Sequence, residues 1–398
     1  MSDVFKNPFR PGAGQIPPFL AGRQTEQEQF RELLTQSPIL KNLILTGLRG
    51  VGKTVLLESL KPIAYQLGWF WAGTDMSESA SINEEAFAIR LITDLATITS
   101  PFAISVEKAR AIGFNRPTEQ EEIPVNYSLL TQIYNAVPGL VSDKLKSVLE
   151  FVWSNVNQRV KGIVLAYDEA QNLKDKATDR EYPLSVLLEI IQYLQRKEIP
   201  YLLVLTGLPT LFPDLVEART YTERMFHIIE LDKLTREESR EAIMKPIIAD
   251  KCPVSFSEYA INTIIEVSGG YPYFIQFFCK EAFDSYLQQK AVGIDEPVTT
   301  ADDIIKKLDS DFYSGRWSLI TDRQRELLKI IAQLPNSNDE FTVKEIATKS
   351  TELEDPFKSN YINSLLAKLI YAGLIYKNRH GKYSFAVPML GDYINRQN

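Results

Sequence analysis

The sequence predicts an α/β protein: a parallel sheet carrying a phosphate-binding loop, then a small helical domain, then a C-terminal winged helix. Three observations predict it. GLRGVGKT at 47–54 follows the apolar run NLILT, and a second apolar run, GIVLAY, ends in Asp168-Glu169. Beyond Thr321 the pattern changes to short amphipathic helices and a hairpin. Apolar runs that alternate with helical segments point to a parallel sheet.

The loop is the first element. It fits G-x-x-x-x-G-K-[ST], with Leu43-Ile44-Leu45 reading as a strand before it and VLLESLKPIAYQL as a helix behind it. Gly47, Gly50 and Gly52 allow a tight turn. The backbone of Gly47, Leu48, Arg49, Gly50, Val51, Gly52 and Val55, with the start of the next helix, then faces phosphate oxygens. Lys53 is placed to reach the β- and γ-phosphates, and the Thr54 hydroxyl to bind Mg²⁺.

A phosphate loop needs an acidic partner, because Mg²⁺ must be held and a water oriented for in-line attack. KGIVLAYDEAQNL supplies one: Ile163 to Tyr167 read as a buried strand with Asp168 and Glu169 at its C-terminal end, the edge where ligands bind in open α/β sheets. Asp168 is expected to hold the metal and Glu169 to polarise the water. A third strand, YLLVLTGLP, ends in Thr206-Gly207. Thr206 either contacts the γ-phosphate or the attacking water, or simply ends the strand. Arg219 and Arg224 precede a further strand from Phe226 to Leu231. An arginine here suits transition-state charge on a neighbouring subunit's nucleotide, or a surface salt bridge. The stretch 100–128, with its EQEE cluster and flanking prolines, reads as an exposed insertion or as helices flanking the sheet with one loop.

Composition narrows the chemistry. At 398 residues the chain exceeds one ordinary domain, and with 44% hydrophobic and 24% charged residues it has the balance of a globular protein. No apolar run nears the roughly 20 residues that span a bilayer, and the first residues lack a secretory h-region, so a cytoplasmic protein with no membrane partner is expected. Cys252 and Cys279 are too few for a disulfide framework, and His227 and His380 lack zinc-site spacing. Any metal should have oxygen ligands. Net charge is −7, yet residues 321–398 carry 11 basic against 9 acidic side chains. A nucleic-acid role belongs, if anywhere, to that segment.

In that segment TDRQRELLKIIAQL reads as a first helix, FTVKEIATKS as a short strand and second helix, and DPFKSNYINSLLAKLIYAGLI as a third. Tyr361, Ile362, Leu365, Leu366, Leu369 and Ile370 form the third helix's expected buried side. LIYKNRHGKYSFAVP reads as two strands around Arg379-His380-Gly381-Lys382, the hairpin of a winged helix. Lys358, Ser359, Asn360, Asn363, Ser364 and Lys368 fall on the polar side, and the hairpin adds Lys377, Arg379 and Lys382. Asn suits adenine edges, and Lys and Arg suit phosphates. Winged helices also serve as protein contacts.

Together these stretches resemble the AAA+ ATPases of the origin-recognition and initiator clade, and the related archaeal-type and STAND signalling ATPases. GLRGVGKT matches the first Walker motif, YDEAQ the second, Thr206 the first sensor, and Arg224 the arginine-finger position. NPFRPG through FLAGRQTEQEQF resembles the entry segment that lines the adenine pocket, with Phe19 and Arg23 falling there. The resemblance implies a nucleotide-binding core over 1–234, a helical lid over 235–315 and a winged helix over 316–398. In initiators the lid helix after the glycine turn carries a sensor arginine. Here that turn reads SGGYPYFIQFF, with Tyr271, Pro272 and Tyr273 and no arginine, which resembles the GGxP pattern of STAND relatives. The implied function is Mg²⁺-dependent ATP hydrolysis, with ATP and ADP as ligands, used as a conformational switch on double-stranded DNA. The other implied function is a slow STAND-like scaffold whose C-terminus meets a protein partner. A homo-oligomer follows only if Arg224 acts in trans.

Overall fold

The computed structural model describes residues 7–12, 14–107, 120–249, 256–293, 300–337, 339–379 and 381–397. Two compact units divide the chain. One comprises 25–46 and 56–230, the other 1–24, 47–55 and 231–398.

The first unit is built on a parallel sheet. Its strands are β1 (Asn42–Gly47), β2 (Trp69–Ala72), β5 (Gly162–Tyr167), β6 (Tyr201–Gly207) and β7 (Phe226–Leu231), in spatial order β2-β5-β6-β1-β7. β1, β5 and β6 are buried at every position, as near-continuous apolar runs covered on both faces should be. The register pairs Tyr167 with Leu205 and Thr46 with Gly207. The C-terminal ends of β5, β6 and β1 therefore share one edge. Asn42 fixes the start of β1: its amide donates to the Met225 carbonyl (3.3 Å) and accepts from the Leu203 N–H (2.9 Å). The helices Glu84–Thr99, Val141–Val156 and Pro183–Arg196 cover the sheet through Phe87, Leu91, Leu149, Val152, Leu187 and Ile191.

The insertion is a correction in part. Its described ends, β3 (Ala103–Glu107) and β4 (Gln120–Pro124), pair antiparallel with Ala103 opposite Pro124, so they form a hairpin rather than flanking helices. Residues 108–119, with most of the insertion's centre, lie outside the described residues.

The second unit has one apolar core. Phe9 and Ala21 of the N-terminal segment, Ile243, Ile261, Phe274 and Phe278 of the lid region, and Leu327, Phe341, Ile362 and Leu366 of the C-terminal region all pack into it. The lid helices are Arg236–Ala249, Glu258–Ser268, Pro272–Ala291 and Ala301–Leu308. Each start has a chemical reason where a cap is present: Ser257 accepts from the Ala260 N–H, and Thr300 from the Asp303 N–H.

The C-terminal elements run helix Asp322–Ala332, β8 (Phe341–Thr342), helix Val343–Ser350, helix Ser359–Tyr371, β9 (Ile375–Arg379) and β10 (Lys382–Phe385). The sheet order is β8-β10-β9. Thr321 and Thr342 each begin a capping box, with Gln324 and Glu345 reaching back to the cap N–H. In the third helix Ile362, Leu365, Leu366 and Leu369 are buried as expected. Tyr361 and Ile370 are exposed instead. The buried four follow the i, i+3, i+4, i+7 stripe, and the other two lie just outside it. Tyr361 stacks on Phe357, with centroids 6.0 Å apart.

Candidate functional site

The phosphate loop leaves β1 at Gly47. A Cβ there would stand 2.5 Å from the Leu231 carbonyl oxygen, at a φ of +154°, so only glycine fits this crossing. Gly50 and Gly52 take φ values of +81° and +93°, which lets the chain curl ahead of the helix Lys53–Gln66. The Lys53 ammonium turns back into this curl and donates to the Gly47 and Leu48 carbonyls, each at 2.9 Å. Leu48, Arg49, Thr54 and Val55 are half-buried around it, and Val51 is buried.

Arg23 braces the loop from beneath. It is buried and donates to the Val51 carbonyl (3.0 Å) and the Asp232 carbonyl (2.8 Å). Each such charged donor to a buried carbonyl contributes about 1.5–3 kcal/mol. Phe19 is half-buried in the core of this unit, with the Lys245 ammonium 4.1 Å from its ring centroid.

The lid meets the loop through backbone. Pro272 opens the helix Pro272–Ala291, and the Tyr273 N–H donates to the Gly50 carbonyl at 3.3 Å. A proline at the first helical position has no N–H to leave unsatisfied. Two further residues reach the loop that no motif in the sequence marks, and a third packs on Tyr273. The Arg49 guanidinium lies 3.5 Å from the point where Gly373 would carry a Cβ, Pro388 lies 3.8 Å from that point on Gly50, and the Phe312 ring lies 5.3 Å from the Tyr273 ring.

The sheet edge in the other unit carries the acidic pair. Asp168 is buried, its carboxylate accepts the Glu169 N–H at 2.8 Å, and its carbonyl accepts the Met76 N–H at 2.8 Å. Glu169 adopts a left-handed conformation at φ +49°, unfavourable for a non-glycine residue and common where function holds a side chain in place. Gln171 spans the edge: its amide donates to the Glu169 carboxylate and its oxygen accepts the Leu208 N–H at 3.1 Å. Gln171 was legible in the sequence, two residues past the acid, but its role emerges only from β6 lying alongside.

Thr206 is fully buried, and its hydroxyl has no hydrogen-bond partner among the described residues. The Thr46 hydroxyl is in the same condition on the adjacent strand, where Leu45 pairs with Thr206. The two orphaned hydroxyls on adjacent strands of their unit call for a polar partner, and in the other unit the glycine curl with the lysine turned into it suits phosphate oxygens. Arg224 sits in the short helix Thr222–Met225, exposed and without an ion pair among the described residues.

On the C-terminal elements Lys358, Ser359, Asn360, Asn363, Ser364 and Lys368 are all exposed along the helix Ser359–Tyr371 and its cap. Lys377 on β9 is exposed and Lys382 on β10 is half-buried. The Arg379 side chain and His380 lie outside the described residues.

The Walker-type ATPase of Pyrococcus abyssi superposes with a TM-score of 0.59 at 17% identity, covering 99% of each chain. The ORC2 protein of Aeropyrum pernix in its ADP form gives 0.55 at 13%, covering 97% of this chain and 96% of that one. The chain has the fold of an origin-recognition AAA+ ATPase. An uncharacterized HTH-type transcriptional regulator of Methanocaldococcus jannaschii is 23% identical over 380 residues, 89% of this chain and 87% of that protein. A family described as a domain of unknown function, DUF8462, matches residues 310–394 of the chain. No helix among the described residues is long and apolar enough to cross a membrane.

Proposed function

We propose that the chain is a Mg²⁺-dependent ATPase whose bound nucleotide acts as a conformational switch on duplex DNA, held by a C-terminal winged helix. The observation that carries this reading is the Tyr273 N–H on the Gly50 carbonyl, which joins the phosphate loop to the lid by backbone. Anything that reshapes the loop must then move the helix Pro272–Ala291. The nucleotide-bound forms of the Aeropyrum pernix ORC2 protein, with ADP and with ADPNP and ADP, share the fold and support a nucleotide ligand.

In this reading Lys53 exchanges its two carbonyl partners for the β- and γ-phosphates. Thr54 and Asp168 would hold Mg²⁺, which would supply neutralisation of phosphate charge. Glu169, held by Gln171, takes a hydrogen bond from the attacking water, and Thr206 offers its hydroxyl to that water or to the terminal phosphate. Arg224, exposed and without an ion pair among the described residues, would reach a neighbouring copy's nucleotide. The element order of residues 322–385 and the exposed Lys358, Asn360 and Asn363 support a winged helix that meets DNA. The similarity to an HTH-type regulator points the same way.

A second reading is favoured by Gly373 and Pro388 lying against the loop. A C-terminal segment seated there suits a slow, STAND-like scaffold that releases a protein-binding surface on nucleotide exchange. Full-length protein separates the two. DNA-coupled function requires duplex retention at about 50 mM salt that weakens steeply as salt rises, and a complete lack of retention with either nucleotide bound leaves the scaffold.

A further inference from the structure

The lid helix that begins at Pro272 offers no arginine to the nucleotide, yet two arginines at the loop, Arg49 and Arg316, have no ion pair among the described residues. Lys53 marks the end of the loop aimed at the β- and γ-phosphates, since its ammonium sits on the Gly47 and Leu48 carbonyls. Arg49 follows directly. Its guanidinium is half-buried against Gly373. A second guanidinium, Arg316, lies over the Phe312 ring at 5.4 Å, and Phe312 packs on Tyr273, whose Cβ stands 3.8 Å from the Cβ position of Gly50. All of these residues belong to one unit.

Four other half-buried or exposed arginines of this unit are neutralised, while Arg10 and Arg236, without an ion pair among the described residues, are exposed to water. Arg240 pairs with Glu258, Arg323 with Glu326 and Asp355, Arg325 with Asp322, and Arg396 with Asp309. Arg49 and Arg316 make no ion pair and no side-chain hydrogen bond among the described residues. The contrast is informative, because a half-buried cation without an anion is destabilising, and a second like charge adds to the cost. Burial and then the charge of Arg49 push the Arg316 guanidinium below its ordinary range, with the Tyr313 and Tyr273 hydroxyls acting in the opposite sense. Such a pair is completed by an anion with several oxygens, and the planar guanidinium fork matches phosphate.

The geometry points to Arg316 as the phosphate-sensing cation of the nucleotide site: together with Arg49 it takes the terminal phosphate of a nucleoside triphosphate. This rests on the loop being an ATP site. It fills the role that the arginine-free start of the helix Pro272–Ala291 leaves open, and it does so from residue 316, within the segment leading into the C-terminal elements. A third phosphate then acts directly on the segment leading into those elements.

The test uses full-length wild type, Arg316→Gln, which keeps a polar side chain without the charge, and Arg316→Lys, which keeps charge without the fork. Isothermal titration with Mg²⁺ measures ADP and a non-hydrolysable ATP analogue for each. Arg316→Gln should weaken the analogue about tenfold or more, the loss of one charged phosphate contact. ADP should stay within about twofold, and Arg316→Lys should recover part of the analogue's affinity. Unchanged analogue binding, or an equal loss for both nucleotides, overturns the assignment of Arg316 while leaving the ATP site standing. A wild type that binds neither nucleotide overturns both. Thermal melts of the ligand-free variants accompany the titrations. If Arg316→Gln melts early, the comparison of Arg316→Lys with wild type decides, and an analogue affinity equal to wild type beside an unaltered ADP affinity counts against the fork.

Discussion

Arg49 of the phosphate loop touches the end of the helix Ser359–Tyr371 at Gly373, 324 residues further along the chain. Gly373 holds a φ of +67°, and the last carbonyls of that helix carry partial negative charge toward Arg49. Replacing Arg49 by Ala should cost no more than about 1 kcal/mol of stability. It should, however, erase any nucleotide-dependent change in amide exchange over 359–371, because the loop then has no side chain on the helix end. Hydrogen exchange in ADP and in an ATP analogue checks this, and a retained difference would show that the signal travels another way.

Lys53 and Glu169 should separate binding from turnover. Lys53→Ala should abolish ATP binding, since the ammonium neutralises phosphate charge in the ground state. Glu169→Gln should keep binding and lose hydrolysis, because the carboxylate acts only on the attacking water. Equal turnover in wild type and Glu169→Gln, measured by phosphate release, would remove Glu169 from the role of base.

Thr206→Val distinguishes a strand end from a working hydroxyl. The Thr206 hydroxyl is buried without a partner, so an isosteric methyl removes a desolvated polar group. The variant should be as stable as wild type or up to about 1–3 kcal/mol more so. If the hydroxyl serves the terminal phosphate or the water, turnover should nonetheless fall, with ADP affinity held. A variant that gains stability and keeps full turnover makes Thr206 purely structural.

How far the sequence spoke depends on what encodes each feature. β1, β5 and β6 were readable because strands buried on both faces must be apolar throughout, and the loop because phosphate chemistry demands fixed spacing. The hairpin β3–β4 was not read, since AISVE and QEEIP are only five residues each and the EQEE cluster masks the second strand as a solvated loop. Gly373, Pro388, Phe312 and Arg316 lie hundreds of residues from the loop they approach. Nothing local distinguishes them from solvated turn residues, and only the shared core of this unit brings them to it. The missing lid arginine was plain in SGGYPYFIQFF, but its replacement could be found only by asking which cations lack anions.

Arg224 carries the question of assembly. It is exposed on Thr222–Met225 with no ion pair among the described residues, so an internal salt bridge does not account for it. If it reaches a neighbour's γ-phosphate, specific activity should rise with protein concentration in the wild type, and Arg224→Ala should keep nucleotide affinity and lose that dependence. Light scattering in ADP and in an ATP analogue reports the assembly directly. Constant specific activity across a wide dilution series would refute the trans role.

The C-terminal elements yield the prediction most open to a clear negative. Lys377 and Lys382 lie on the strands β9 and β10. On DNA they would meet phosphates, and each such contact would release condensed counterions. Replacing both by Ala in the full-length protein should weaken binding to every duplex and flatten the log-log salt dependence by roughly one to two units. Asn360 and Asn363, one turn apart and exposed on the helix Ser359–Tyr371, have the bidentate amide that suits an adenine edge. Replacing either should cost about 1–3 kcal/mol at preferred sites and nothing on non-specific duplex. The two patterns are independent, since one concerns charge and the other geometry. Fluorescence anisotropy across a salt series reads both, and asparagine variants that lose affinity equally on all sequences would demote that helix from reading bases to positioning on the backbone.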